Sequence, residues 1–204
     1  YFIIYSSELP LIARYNYKRF MENPCFILIT GASSGIGEAL AREYACPGVF
    51  LALCGRNQKR LNDVASYCRN KGAKVSAKLV DVTDQHGMAE WIKATDAKYP
   101  LDMIIANAGI SGDSGTKSSE LDEKLTRDIF NVNILGVINT IFPVIANMRH
   151  RNHGQIALVS SIAGFRGLPS APAYSASKAM AELAINSYFK SFFKNTDIKI
   201  GIGR

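Results

Sequence analysis

The sequence predicts an α/β fold in which helices cover both faces of a doubly wound, parallel sheet. Short apolar runs of strand length alternate with longer segments of helical periodicity, and this alternation is typical of βαβ units. A glycine-rich stretch separates the first apolar run from the first helical segment, as a tight strand-to-helix turn requires. The length of 204 residues suits a single domain with its own hydrophobic core.

Strands and helices are predicted in regular alternation along the chain. The strands are expected at residues 25–30, 49–54, 74–80, 101–106, 155–160 and 198–202. The helices are expected at residues 35–46, 58–70, 85–97, about 120–148 with a break near Pro143, and 173–194. We assign residues 21–204 to this domain. Residues 1–20 are aromatic-rich without a periodic pattern, so we expect them to be an appendage, with Met21 as the natural start.

The composition excludes a largely disordered chain, because 48% of the residues are hydrophobic and only 20% are charged. The net charge of +7 admits three interpretations: a solvated basic surface, a nucleic-acid or membrane surface, and a local site for a phosphorylated ligand. The basic residues form no run of five or more, so we favour a solvated surface and expect no nucleic-acid partner. The apolar runs look shorter than the roughly 18 residues of a membrane span, so we expect no integral membrane segment.

The cysteines and histidines lack the spacing of a metal site. No C-x-x-C pair occurs among the four cysteines, Cys25, Cys46, Cys54 and Cys68. We therefore expect buried, reduced thiols and a cytoplasmic location. The three histidines are expected on the surface without a metal: His86, His150 and His153.

A glycine-rich loop lies between the first predicted strand and the first predicted helix. Its sequence is Thr-Gly-Ala-Ser-Ser-Gly-Ile-Gly over residues 30–37, with glycines at Gly31, Gly35 and Gly37. Glycines let a pyrophosphate approach the backbone closely, and the free N–H groups at the start of the following helix favour anions. An ordinary glycine-rich turn is the alternative, but the strand–loop–helix order favours a dinucleotide-binding loop.

The end of the second predicted strand indicates which dinucleotide binds. In dinucleotide-binding folds an acidic residue here binds the ribose 2′-hydroxyl, whereas a nearby arginine accepts a 2′-phosphate. Gly55 occupies the acidic position and Arg56 follows it. A guanidinium matches the geometry of a phosphate, so we favour NADP(H) and leave NAD(H) open. The alternative for Arg56 is a solvent-exposed arginine without a ligand.

Three further residues indicate proton transfer to a carbonyl or alcohol oxygen. Tyr174 and Lys178 are four residues apart at the start of a predicted helix, so they share one helical face. A nearby ammonium and a helix N-terminus both stabilise a phenolate, which suits a tyrosine that exchanges protons with a substrate. Ser161 ends the fifth predicted strand, where its hydroxyl can donate to a carbonyl oxygen. The alternatives are a half-buried tyrosine beside a surface lysine, and a serine in a turn.

These motifs and their order resemble the classical short-chain dehydrogenases/reductases. The family's order is matched by the G-x-x-x-G-x-G spacing, Asp81-Val82, Asn107-Ala-Gly109, Asn133, Ser161, and the Y-x-x-x-K motif of Tyr174 and Lys178. The resemblance covers about residues 22–203 and implies a Rossmann-like fold. It also implies hydride exchange between nicotinamide and a carbonyl or alcohol carbon, with NADPH-dependent carbonyl reduction as the expected reaction.

The resemblance implies roles for individual residues. Ser161 and Tyr174 would polarise the carbonyl, and Tyr174 would supply the proton. Lys178 would hold the nicotinamide ribose, and Asn133 would hold a water that links Lys178 to solvent. The residues expected to bind the cofactor are Gly31, Ser33, Ser34, Gly35, Ile36, Gly37, Arg56, Asn57, Asp81, Val82, Asn107, Ala108, Gly109, Tyr174 and Lys178.

The resemblance also implies a small-molecule carbonyl or alcohol substrate and a homodimer or homotetramer. The nearly charge-free residues 134–146 and the helix after Tyr174 are the expected interface. Residues 162–173 are expected to line the substrate pocket, where Phe165 and Leu168 favour an apolar compound and Arg166 would suit an acid. A non-catalytic or inactive dinucleotide-binding protein on the same fold is the alternative function.

Family members continue past the sixth strand into a Pro-Gly turn, a segment that covers the substrate, a seventh strand and a final helix. This sequence ends at Arg204, where that turn is expected. We therefore expect a chain that is truncated relative to the family, with a complete catalytic constellation beside an incomplete substrate site. The alternative is a minimal enzyme whose pocket is closed by residues 1–20.

Overall fold

A computed structural model describes residues 24–112 and 122–203 of the chain. The predicted appendage at residues 1–20 and Met21 lie outside these residues. The described part contains a six-stranded sheet with the order β3-β2-β1-β4-β5-β6, in which all neighbours run parallel. Its strands are β1 (Phe26–Ile29), β2 (Phe50–Gly55), β3 (Lys74–Leu79), β4 (Met103–Ala106), β5 (Gln155–Val159) and β6 (Lys199–Gly203).

Helices connect the strands and pack on both faces of the sheet. They are α1 (Gly35–Glu43), α2 (Gln58–Asn70), α3 (Gln85–Lys98), α4 (Glu123–Phe130), α5 (Gly136–His150) and α6 (Pro172–Phe192). A π-helical turn, Asn131–Leu135, joins α4 to α5, and a 3-10 turn, Ile162–Gly164, follows β5. The predicted doubly wound α/β fold is confirmed.

Alternate residues of each central strand enter different cores, because successive side chains of a strand point to opposite faces of the sheet. In β1, Ile27 and Ile29 pack in the core that α1 and α2 cover, together with Leu61 of α2. Leu28, between them, packs in the core that α3, α5 and α6 cover, together with Ile141 of α5. These side chains are completely or almost completely buried. Burial on both faces explains why the central strands are continuous apolar runs.

The strand order reverses between β1 and β4, which lie side by side at the centre of the sheet. The helix after β1 and the helix after β4 therefore leave toward opposite faces. Such a switch point opens a crevice beyond the carboxyl ends of the strands, and ligands of open α/β sheets bind there. The topology thus locates the candidate site before any side chain is considered.

The predicted long helix before β5 is broken in a different place. Pro143 lies inside α5, so the expected break there is wrong. The interruption is the π-helical turn, where Gly136 N donates to Asn131 O, five residues back. Proline removes one N–H donor, and the buried face of α5 keeps the helix intact despite this loss. Residues 120 and 121 of the predicted helix lie outside the described part.

One helical stretch is longer and more apolar than the sequence analysis expected. The continuous helical stretch Glu123–His150 has 28 residues and a window of mean hydropathy 1.8, so by length and composition it could cross a membrane. In this fold 44% of that window is buried inside the protein. Val144 and Met148 of α5 are completely buried in the core shared with α3 and the sheet. A core helix passes the same test, so the stretch is weak evidence for a membrane span.

The cysteines and histidines are only partly as predicted. Cys54 and Cys68 are buried, whereas Cys25 and Cys46 are exposed, so the expectation of four buried thiols is wrong for two of them. Cys25 precedes β1 rather than lying within it. All three histidines are exposed, as expected. Among the described residues, no three His, Cys, Asp or Glu side chains cluster as metal ligands.

Candidate active site

A cleft of about 760 Å³ lies at the carboxyl ends of β1, β2, β4 and β5. It is lined by most of the residues predicted to bind a cofactor or to act in catalysis. These are Gly31, Ser33, Ser34, Gly35, Ile36, Arg56, Asn57, Asp81, Val82, Asn107, Ala108, Gly109, Tyr174 and Lys178. Gly37, Asn133 and Ser161 are not among the lining residues.

The glycine loop, residues 30–37, is packed so tightly that side chains would not fit at two positions. Gly31 has φ +65°, and a Cβ there would lie 2.9 Å from Ala108 Cα. A Cβ on Gly37 would collide with Asn107 Nδ2 and with the carbonyl of Gly31. Gly35, with φ +55°, has open space beside it, and it lines the cleft. The loop therefore packs tightly against residues 107–108 on one side and exposes its backbone to the cleft on the other. An exposed backbone of this kind can bind the pyrophosphate of a dinucleotide.

Asn107 fastens this loop to the end of β4. Its Nδ2 donates to Thr30 O at 2.9 Å, and its backbone N–H donates to Thr30 Oγ1 at 3.1 Å. The backbone N–H of Ala108 donates to the same hydroxyl at 3.2 Å. Three donors at the end of β4 are therefore paired with two oxygens of Thr30, at the end of the neighbouring strand β1. Asn107 lines the cleft, but its amide hydrogen bonds keep the glycine loop in place.

The end of β2 leaves no space for an acidic side chain. A Cβ on Gly55 would lie 2.9 Å from Ser33 Oγ and 3.1 Å from Ser33 Cβ. Arg56 follows with a side chain that is 63% exposed, and its Nη1 lies 3.6 Å from Asp81 Oδ2. An exposed ion pair at this distance contributes little to stability, so Arg56 is available to an anionic ligand.

Arg60 is a lining residue that the sequence analysis missed. Asn57 caps the start of α2, because its Oδ1 accepts from the backbone N–H of Arg60 at 3.0 Å. The cap brings the first turn of α2 to the same rim of the cleft as Arg56. The spacing of four residues between two arginines around an N-cap asparagine is the signal that could have identified Arg60.

Lys178 is nearly buried and lies beside Tyr174. Its Nζ donates to Val159 O at 2.8 Å and is 5.7 Å from the centroid of the Tyr174 ring. Burial lowers the pKa of Lys178 to about 8, and the Glu182 carboxylate opposes this shift. Both Tyr174 and Lys178 line the cleft, as two residues four apart on one helical face should.

Two neighbouring serines follow β5 with different environments. Ser161 caps the 3-10 turn, because its Oγ accepts from Ala163 N at 3.1 Å. Ser160 lines the cleft and is buried, and its Oγ has no hydrogen-bond partner among the described residues. Ser160 therefore places this unpaired buried hydroxyl at the cleft, and the sequence analysis does not name it.

Asn133 lies in the π-helical turn, and protein partners engage its side chain. Its Oδ1 accepts from Ile110 N at 2.8 Å, while its Nδ2 donates to Ile110 O and to Ser177 Oγ, each at 2.9 Å. Both amide hydrogens are therefore used. The predicted water between Asn133 and Lys178 stays a prediction, and such a water would have to donate to the second lone pair of Asn133 Oδ1 or to its backbone carbonyl.

Three apolar side chains project from the segment after β5. Ile162, Phe165 and Leu168 are 72%, 76% and 40% exposed. Leu168 is held to α6, since its backbone N–H donates to Ser175 Oγ at 3.0 Å. Large apolar side chains gathered at the surface usually mark a binding surface.

Comparisons with known proteins agree with this geometry. Residues 26–199 match the sequence profile of the short chain dehydrogenase family. An uncharacterized oxidoreductase of Myxococcus xanthus is 38% identical over 161 residues, which are 78% of this chain and 63% of that protein. The chain spans less than two thirds of the length of the first three curated relatives, at 63%, 65% and 56%.

Solved structures share the fold. The alcohol dehydrogenase of Thermococcus sibiricus, complexed with 5-hydroxy-NADP, is 27% identical with a TM-score of 0.77, and the match covers 87% of this chain and 74% of that one. A short-chain dehydrogenase/reductase of Burkholderia phymatum in complex with NAD is 24% identical with a TM-score of 0.78, covering 87% and 63%. The latter supports the fold alone. The cleft, the motifs that line it and the matched profile lead to one assignment: the chain belongs to the short-chain dehydrogenase family of oxidoreductases.

Proposed function

We propose that this chain binds NADP(H) and carries the catalytic residues of a carbonyl reductase. The observation that carries the proposal is that Tyr174 and Lys178 line the same cleft as the glycine loop. A proton donor and a dinucleotide-binding loop in one cleft are what reduction of a carbonyl requires. The whole protein's substrate and direction are part of the proposal, with a small carbonyl or alcohol compound as the substrate class.

The preference for NADP(H) rests on the end of β2. The structural neighbours include one complexed with an NADP derivative and one with NAD, so the fold allows both cofactors. In this chain, Ser33 fills the space that an acidic side chain at Gly55 would need. Arg56 and Arg60 bring two positive charges to the same rim, which favours a 2′-phosphate.

The protein's own groups account for the oxygen chemistry. When bound, the nicotinamide supplies or takes the hydride. Tyr174 gives a proton to the carbonyl oxygen, and the Lys178 ammonium beside it stabilises the resulting phenolate. The Oγ of Ser161 accepts from Ala163 N through one lone pair, so its own hydrogen can go to the substrate oxygen. Asn133 supports this group from the π-helical turn.

We extend the proposal to a homo-oligomer formed by α5 and α6. Exposed apolar side chains continue from one helix to the other: Leu135, Ile138, Phe142, Met180, Leu183, Tyr188 and Phe192. Phe142 meets Tyr188 edge-on at 5.6 Å between ring centroids. A second copy of the same charge-poor surface would bury them. The buried, reduced thiols of Cys54 and Cys68 support the cytoplasm as the compartment.

The function is tested by NADPH oxidation against a panel of aldehydes and ketones, with NADH in parallel. Tyr174→Phe should bind NADPH within about twofold of wild type and lose roughly 100- to 10,000-fold in turnover, because only the proton-transferring oxygen is removed. Tyr188→Phe, on the same helix but outside the cleft, is the matched control and should keep full turnover. Tight NADPH binding without turnover of any carbonyl would favour the non-catalytic alternative. Turnover of Tyr174→Phe equal to that of the control would reject the assigned role.

A further inference from the structure

Ser177 is a buried serine that the proposed mechanism does not use. It immediately precedes Lys178 in α6, is completely buried, and is not among the residues that line the cleft. Its Oγ donates to the carbonyl of Tyr174 at 2.7 Å and accepts from Asn133 Nδ2 at 2.9 Å. The hydroxyl therefore connects the backbone of one proposed catalytic residue to the side chain of another.

The connection continues to the loop after β4. Asn133 pairs with both backbone groups of Ile110, accepting from its N–H at 2.8 Å and donating to its carbonyl at 2.9 Å. Hydrogen bonds thus run without interruption from Ile110 through Asn133 and Ser177 to Tyr174. We call these four residues the clamp. Because the hydrogen bond between Asn133 and Ser177 is buried, removing the Ser177 hydroxyl would leave one N–H of the Asn133 amide without a partner and without water to replace it.

Gly109 lies between the clamp residue Asn133 and Lys178. A Cβ on Gly109 would lie 3.2 Å from Asn133 Oδ1 and 3.4 Å from Lys178 Nζ. The amide of Asn133 and the ammonium of Lys178 therefore border the same point of the cleft wall. A shift of the first turn of α6 relative to Asn133 would therefore move Tyr174 and Lys178 relative to the wall of the cleft at Gly109.

We propose that Ser177 is a positioning residue, which fixes the first turn of α6, with Tyr174 and Lys178, against Asn133 and Ile110. The inference rests on the proposed roles of Tyr174 and Lys178. Catalytic groups need supporting hydrogen bonds that hold them near the productive geometry, and small misplacements reduce the rate strongly. The π-helical turn brings Asn133 to the point where its amide can bond to both neighbours.

The test uses Ser177→Ala and Ser177→Thr, with Ser191→Ala as the matched control. Ser191 lies near the other end of α6, and its Oγ makes the same kind of bond, to Ser187 O at 3.1 Å. Hydrogen–deuterium exchange is first measured on the cofactor-free proteins. In Ser177→Ala, residues 107–112 and 174–178 should exchange severalfold faster, while the Thr variant and the control stay near wild type. This readout needs no substrate.

Steady-state kinetics is the second readout. For Ser177→Ala we expect a roughly tenfold fall in kcat, the effect of one lost buried hydrogen bond. The KM values for NADPH and for the carbonyl substrate should stay within about twofold of wild type. Ser177→Thr, which keeps the hydroxyl, should recover most of the rate. The proposal would be overturned if Ser177→Ala had the same exchange rates and the same kcat as Ser191→Ala. It would also be overturned if exchange in α2 became faster, because the effect would then not be confined to the clamp. If wild type reduces no carbonyl, the proposed function fails, while the exchange data still decide whether the clamp exists.

Discussion

Two regions of the candidate site are built in different ways: the glycine-loop end of the cleft and the segment that follows β5. At the glycine-loop end, residues 30–37, 55 and 107–109, backbone packs on backbone and side-chain amides pair inside the protein. The segment after β5, which we call the exposed segment (residues 162–171), contributes no residue to the lining of the cleft, and its Ile162 and Phe165 side chains are largely exposed. The first region is formed before any ligand arrives. The second gains buried apolar surface when something covers it.

The difference follows from what each region has to bind. A pyrophosphate is held by backbone N–H groups, which must already point in the right direction, so the loop cannot tolerate extra atoms. Binding of an apolar substrate is favoured by burial of apolar surface. This effect is non-directional, so it does not require a precisely oriented backbone. Substitutions in the two regions should therefore have different effects. Those in the glycine loop should reduce stability and cofactor binding, whereas those in the exposed segment should reduce substrate affinity.

The largest effect is expected for Gly37→Ala. Its Cβ would meet Asn107 Nδ2 and the Gly31 carbonyl, so we expect a loss of about 3 kcal/mol in the free energy of unfolding and no measurable NADPH binding. Gly167→Ala is the matched control in the exposed segment, because its Cβ would meet nothing within 4 Å. The control should stay within about 0.5 kcal/mol of wild type in urea unfolding. Equal effects at the two glycines would remove the contrast between the two regions.

Arg56→Ala should weaken the cofactor without damaging the fold. Losing a charge-assisted hydrogen bond to the 2′-phosphate should raise the Kd of NADPH roughly 10- to 100-fold and leave that of NADH within about twofold. Fluorescence titration with both cofactors measures the ratio. Arg127→Ala is the control, since Arg127 pairs with Glu123 on the exposed face of α4 and is not among the cleft residues. An unchanged NADPH to NADH ratio would rule out Arg56 as the phosphate ligand.

Lys178→Met tests the electrostatic cost of the proposed catalytic group. Burial lowers the pKa of Lys178 from 10.5 to about 8, so between these values the unfolded chain binds more protons than the folded one. For this group, stability therefore rises with pH across that window, and the penalty is fully present below about pH 8. The variant should be more stable than wild type at pH 7, with a difference that shrinks toward pH 10. Urea unfolding at several pH values measures it, and a constant difference would contradict the prediction.

The smallest effect on folding is expected for Phe165→Ser. The side chain is largely exposed, so the free energy of unfolding should stay within about 0.5 kcal/mol of wild type. If the exposed segment contacts substrate, KM for an apolar ketone should rise about tenfold, while the Kd of NADPH stays the same. A clear loss of stability would show that Phe165 is already packed in the cofactor-free protein.

Local patterns were sufficient to predict most elements. The helix at Gln58–Asn70 has the predicted bounds, and the six strands lie within two residues of their predicted ends. The break at Pro143 was wrong because the actual interruption depends on distant partners. Asn133 bonds to Ile110 and Ser177, which are 23 and 44 residues away in the chain. Periodicity cannot report such bonds.

Fold class and family could be predicted from the sequence alone because they rest on patterns of neighbouring residues. These patterns are the alternation of apolar runs with helical segments, the glycine spacing, and the four-residue spacing of Tyr174 and Lys178. Other features join residues from separate strands and helices. These are the packing of Ser33 against Gly55, the position of Arg60 at the rim of the cleft, and the burial that lowers the pKa of Lys178. Those features depend on how the elements pack, because distances and desolvation arise only when distant segments meet. For that reason the residues of the candidate site could be named from sequence, whereas the contacts that tune them required the folded molecule.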